Sequence, residues 1–117
     1  MPLIDVTYDS TITAESLRSL GEALPSIVSE SVQCPEEPWT GPPADGDIEI
    51  RFRAKGEADV GELNCVVEVR TKLYASREND KRRRADFIRD RLSSTLELGK
   101  LGVWLILSQG AWSQIEQ

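Results

Sequence analysis

Met1-Pro2-Leu3-Ile4-Asp5-Val6-Thr7-Tyr8 decides how this chain is read. Pro2, Ile4, Val6 and Tyr8 alternate with Leu3, Asp5 and Thr7, the period of a β-strand with two unlike faces. A proline suits the first position of such a strand, where no ladder N–H is required. Removal of Met1 would give Pro2 a second role. Its nitrogen would become a free secondary amine held at the mouth of a strand. A neutral amine in a fixed place is a candidate general base. A retained Met1 would make that nitrogen an amide with no basicity.

The rest of the chain limits what such a base could serve. Its 117 residues suit one compact domain spanning 1–117. The apolar and charged contents, 39% and 29%, are ordinary for a soluble protein. A net charge of −6 argues against non-specific binding to nucleic acid or to an anionic membrane. The absence of histidine removes His-based triads, His general bases and His metal sites. Cys34 and Cys65 fit no zinc or CxxC spacing and read as reduced packing residues in a cytoplasmic protein. No signal peptide and no apolar run of bilayer length is visible.

Beyond the first strand, Thr13 is a plausible N-cap with Glu15 in the first turn. Leu17, Leu20, Leu24, Ile27 and Val28 recur at helical spacing, so 14–32 reads as an amphipathic helix with a kink at Pro25. Cys34 to Gly46, rich in proline and glycine, reads as a long loop. Residues 47–54 alternate, with Ile48, Ile50, Phe52 and Ala54 opposed to Glu49, Arg51 and Arg53. Residues 63–73 alternate again, with Cys65, Val67, Val69 and Thr71 opposed to Val66, Glu68, Arg70 and Lys72. The short link between them suggests a β-hairpin. A second helix is expected over 79–98, capped by Gly99. Leu101 to Leu107, almost wholly apolar, reads as a central strand. The residues after it read as an irregular tail or a short added strand.

The order is βαβ followed by βαβ, which predicts an α+β fold. Its four-stranded mixed sheet carries both helices on one face. The other face would hold Glu49, Arg51, Arg53, Glu68, Arg70 and Lys72. Cross-strand ion pairs would account for those charges in a lone domain. Otherwise the face is covered by further subunits and lines a polar pocket. Lys81-Arg82-Arg83-Arg84 sits among Glu78, Asp80 and Asp86 at helical spacing and reads as a solvated, ion-paired helix face rather than a nucleic-acid patch. Trp39, Trp104 and Trp112 read as core or interface residues rather than ligand platforms.

These features together resemble the tautomerase superfamily, small β-α-β enzymes that begin with a catalytic proline. Within it they are most similar to the 5-carboxymethyl-2-hydroxymuconate isomerase family. The resemblance spans nearly the whole chain and includes the Met1-Pro2 start, the duplicated βαβ order and a proline in the first helix. Ile50-Arg51-Phe52-Arg53 resembles that family's Ile-Arg-x-Arg strand motif. Lys72-Leu73-Tyr74-Ala75-Ser76-Arg77 resembles its Lys-Ile-x-Ala-x-Arg. The resemblance implies Pro2 as the catalytic base and Arg51 and Arg77 as binders of substrate carboxylates; Arg53, on the same strand face as Arg51, is a third candidate. It further implies a cofactor-independent proton transfer in a small unsaturated dicarboxylate and a homotrimer. A decarboxylase or hydratase using the same proline, or a non-catalytic oligomeric module, stays open. The family's small loop glycines are replaced by Tyr74 and Ser76, which narrows the expected pocket.

Overall fold

The computed structural model describes residues 2–38 and 47–115. The elements are β1 (Leu3–Tyr8), α1 (Ala14–Ser31), β2 (Glu49–Ala54), β3 (Cys65–Lys72), α2 (Ala75–Asn79), α3 (Lys81–Thr95) and β4 (Leu101–Ser108). They build one four-stranded sheet in the order β2-β1-β3-β4. β1 runs parallel to β2 and antiparallel to β3, and β3 runs parallel to β4. This is the mixed sheet, backed by helices, that the two βαβ runs predict.

The alternation of β1 is realised side chain by side chain. Ile4 and Val6 are buried with Val67 and Val69 of β3, and Leu20, Leu24, Ile27, Val28, Ile88 and Leu92 of α1 and α3 close over them. Leu3, Asp5 and Thr7 point to the opposite face and stay half-buried. Thr13 caps α1 as expected, its hydroxyl oxygen accepting from the Ser16 N–H at 3.1 Å. The helix runs on through Pro25 to Ser31. Of the expected proline- and glycine-rich loop, residues 39–46 lie outside the described residues, as does Trp39.

Four expectations are corrected. β2 and β3 do not form a hairpin, because β1 lies between them and pairs with both. The link from Lys55 to Asn64 is long enough to step over one strand, and β1 offers each neighbour an apolar partner row. β4 is an edge strand, not a central one. Its inward residues Val103 and Leu105 pack against the core, while Trp104 on the outer side is 64% exposed. The second helix is two pieces, broken at Asp80, whose φ of −131° and ψ of 32° are not helical.

Gly99 is not the helix cap either; α3 ends at Thr95, with Leu96 as its C-cap. Gly99 has φ +63° and presses against the Asn64 side chain. Asn64 is a hub at that end of the sheet. Its amide donates to Asp9 Oδ2 at 2.8 Å and accepts from the Lys100 N–H at 2.8 Å. A Cβ at position 99 would collide with that amide and force a non-glycine residue into the left-handed region. Gly99→Ala is expected to cost about 1 to 3 kcal/mol, read as a lower midpoint in a urea melt with unchanged slope. An unchanged midpoint would show that this turn relaxes freely.

Candidate functional site

The head of β1 is where the sequence points, and the structure surrounds it with polar groups. Pro2 is fully buried, and its carbonyl accepts from the Glu49 N–H of β2 at 3.4 Å. On the other side Leu3 pairs with Arg70. Continuing that register sets Pro2 opposite Thr71. β3 then ends at Lys72, beside Ser108 at the end of β4. A pocket of about 600 Å³ opens here, its walls including Leu3, Glu37, Arg70, Thr71, Lys72 and Trp112. Three strand ends and the tail after β4 thus meet beside the candidate base.

Arg77 is placed differently from the direct carboxylate grip expected of it. It is 0% exposed and is not part of the pocket wall. Its Nε donates to the Val32 carbonyl at 2.8 Å, one terminal nitrogen to the Lys72 carbonyl at 2.9 Å, and the other to Glu37 Oε1 at 3.2 Å. Arg84 does similar work next to it, donating to the carbonyls of Ser31 at 2.8 Å and Gln33 at 2.6 Å. The end of α1 has no basic residue of its own. Its orphan carbonyls are satisfied instead by two arginines from the neighbouring helices α2 and α3. Arg77 therefore holds two walls of the pocket, Lys72 and Glu37, from beneath. The Arg77 guanidinium lies 5.1 Å and the Lys72 ammonium 5.3 Å from the centroid of the Tyr74 ring.

The same rim is tied to α2. Glu36 accepts from the Ser76 N–H at 3.2 Å and from its hydroxyl at 3.1 Å. The Glu36 carboxyl is held below its usual range by its own backbone N–H and by Ser76. Because the folded value is lowered, these contacts contribute fully above the ordinary glutamate pKa. They are lost as pH falls through the lowered value.

Arg51 and Arg53 lie on the sheet face away from the helices, as Arg70 does, but in a second cleft of about 440 Å³ whose walls include Asp5, Thr7 and Glu68. Arg51 pairs in register with Asp5, three residues along β1 from Pro2, or roughly 10 Å at strand spacing. Its Nε lies 3.1 Å from Asp5 Oδ1. Arg70 shares that carboxylate at 2.9 Å and also holds Glu68 at 3.0 Å. These are the cross-strand ion pairs that a lone charged sheet face would form. They are half exposed, so each contributes about 0 to 1 kcal/mol. One chain does not bring Arg51, Arg53 and Pro2 together. It brings Arg70, Lys72 and Trp112 to the Pro2 end instead. The alternation of β3 already put Arg70 and Lys72 on one face, but only the β1–β3 pairing reveals which strand end they reach.

The remaining motifs have structural explanations. Lys81 pairs with Glu78 at 2.5 Å, Arg82 with Asp86 at 3.2 Å, and Arg83 and Arg84 with Asp80 at 2.6 and 2.5 Å. That is an ion-paired helix face. Trp112 is 55% exposed and, like Trp104, is not a core residue. Cys34 and Cys65 are both buried free thiols. Burial, helped by the Asp9 charge, pushes the Cys65 thiol up to about 11. Since the thiolate is the reactive form, Cys65 should resist a disulfide reagent at pH 8 in the native protein. It should react promptly in guanidinium, with peptide mapping to separate the two cysteines. Fast native labelling of Cys65 would contradict its packing. Among the described residues no helix is long and apolar enough to cross a membrane.

No family model and no curated protein matches this chain. Solved structures do. The macrophage migration inhibitory factor-like protein from Entamoeba histolytica superposes with a TM-score of 0.62 at 13% identity, covering 97% of this chain and 95% of that one. Leishmania major MIF2 gives a TM-score of 0.59 at 15% identity, over 96% and 93% of the two chains. A fused wild-type 4-OT, a symmetric trimer, gives a TM-score of 0.59 at 18% identity, over 91% and 85%. At such identities the likeness is one of fold. The chain has the tautomerase fold, as its sequence predicts.

Proposed function

We propose that this protein is a cofactor-independent tautomerase or isomerase in which Pro2, freed by removal of Met1, is the general base. Its substrate is a small unsaturated enol or keto acid, of the kind taken by 5-carboxymethyl-2-hydroxymuconate isomerases. The observation that carries this reading is the position of Pro2, at the head of an internal strand and beside a pocket that contains Arg70 and Lys72. Cations beside an amine favour its neutral form and stabilise negative charge developing on a dienolate. The neutral amine would take a proton from one atom of the conjugated system and return it to another.

The second sheet face supports an assembly. Trp104 stands exposed on the edge strand, with the Arg51–Asp5–Arg70 network beside it on the same face. A homotrimer would cover both, and an adjacent subunit would carry Arg51 and Arg53 toward a neighbour's Pro2. Arg77 supports the site from below rather than by touching substrate. The direct test is ketonisation of a panel of dicarboxylic enols, followed by ultraviolet absorbance, with the mass-verified processed protein. Sedimentation should show a trimer at micromolar concentration. A stable monomer would remove the inter-subunit role of Arg51 and Arg53, and a trimer inert toward every enol would favour a non-catalytic module.

A further inference from the structure

We propose that Lys72 is the residue of this chain that grips a ligand carboxylate in the pocket beside Pro2. Trp112 forms a flat wall that selects planar, conjugated acids. The assignment deepens the reading of that pocket given above and rests on it.

The charges around the pocket are unevenly satisfied. Arg70 is held by Asp5 and Glu68. Glu37 is held by the buried Arg77 and accepts from the Tyr74 hydroxyl at 3.2 Å. Lys72 is exposed, and its ammonium makes no hydrogen bond or ion pair with the described residues; its neighbour is the face of Tyr74. It is therefore the uncompensated cation of the pocket, and an uncompensated cation in a concave site concentrates anions there. Its backbone is fixed by the bond from its carbonyl to Arg77 and by pairing with Ser108. The flexible stem is thus mounted on a rigid base.

The Trp112 indole, half exposed, has its Nε1–H turned away to Gln114 at 2.6 Å. The rest of the ring offers a flat apolar surface, which suits the π face of a conjugated chain.

The experiment uses cis,cis-muconate, a planar conjugated dicarboxylate with no enol to react, so that binding is read apart from catalysis. Calorimetric titration of the processed protein should show binding that is lost with the dimethyl ester. Lys72→Met should weaken it at least tenfold, Lys72→Arg should restore most of it, and Trp112→Leu should weaken it severalfold. Circular dichroism should report the native fold for all three variants. No binding of muconate, or equal binding by Lys72→Met, would overturn the assignment. If enols are still turned over through Pro2 in that case, the catalytic reading stands without it. Lys72-dependent muconate binding with no turnover of any enol supports the assignment and sinks the catalytic reading.

Discussion

Arg77→Met should destabilise the fold by about 3 to 5 kcal/mol, the range for leaving a buried charged network without its partner. The methionine keeps the length of the stem and removes the fork. The carbonyls of Val32 and Lys72 would each lose a donor, and Glu37 would lose its counter-ion. A buried carbonyl left unpaired costs about 1 to 3 kcal/mol. Glu37 is partly exposed, and water would recover some of its loss. In a thermal melt the fall should reach roughly 10 °C or more for a chain of this size. Residual activity per folded molecule should survive, because Arg77 does not face the pocket. A variant with unchanged melting temperature and lost turnover would instead make Arg77 a substrate ligand, as the loop motif alone suggests.

One residue added before Pro2 should have the largest effect on activity. The extension turns the proline nitrogen into an amide, which cannot accept a proton at neutral pH. General-base catalysis contributes about 10² to 10⁴ in rate, so kcat/KM should fall by that factor. The melting temperature should hold, because the extension leaves in place both the Pro2 carbonyl that accepts from Glu49 and the β1 pairing from Leu3 onward. Pro2→Ala keeps an amine but loses the rigid ring, and its activity should lie between the two. Full activity in a verified extended sample would show that the base is elsewhere.

The fold was legible because its strands carry their faces in their alternation. Ile4 and Val6, and Val67 and Val69, are apolar where the helices cover them and alternate with residues of the other face. Pairing was less legible. A ten-residue link between two alternating strands looks like a hairpin, and nothing local reports that β1 has been inserted between them. β4 misled for a related reason. A continuous apolar run normally means a strand covered on both faces, but a strand can also be covered by a subunit that the single sequence does not display. Trp104 and Ile106, on the outer side of that edge strand, are the residues left to explain.

The residues of the candidate site differ in how far the sequence could place them, for similar reasons. Pro2 stands out because its chemistry depends only on its place at the start of the chain. Arg77 was misleading because most of its partners are backbone carbonyls, Val32 and Lys72, which no side-chain pattern marks. Lys72 was visible as a residue of the same strand face as Arg70. It gained its place beside the candidate base only when β3 proved to be the neighbour of β1.

The account rests on the Pro2 amine, and its titration tests it most directly. Protein labelled with ¹⁵N at proline and processed to begin at Pro2 can be followed by NMR across pH. The kcat/KM for enol ketonisation is measured over the same range. An ordinary α-amino group titrates at about 7.7 to 8.0. Burial of the proline and the unpaired positive charge of Lys72 should lower this value. The ¹⁵N signal of Pro2 and the rise of kcat/KM with pH should share one midpoint, below that of a proline at a free chain end. A Pro2 amine that titrates as it would in an unfolded peptide, with a rate profile indifferent to it, would contradict the account.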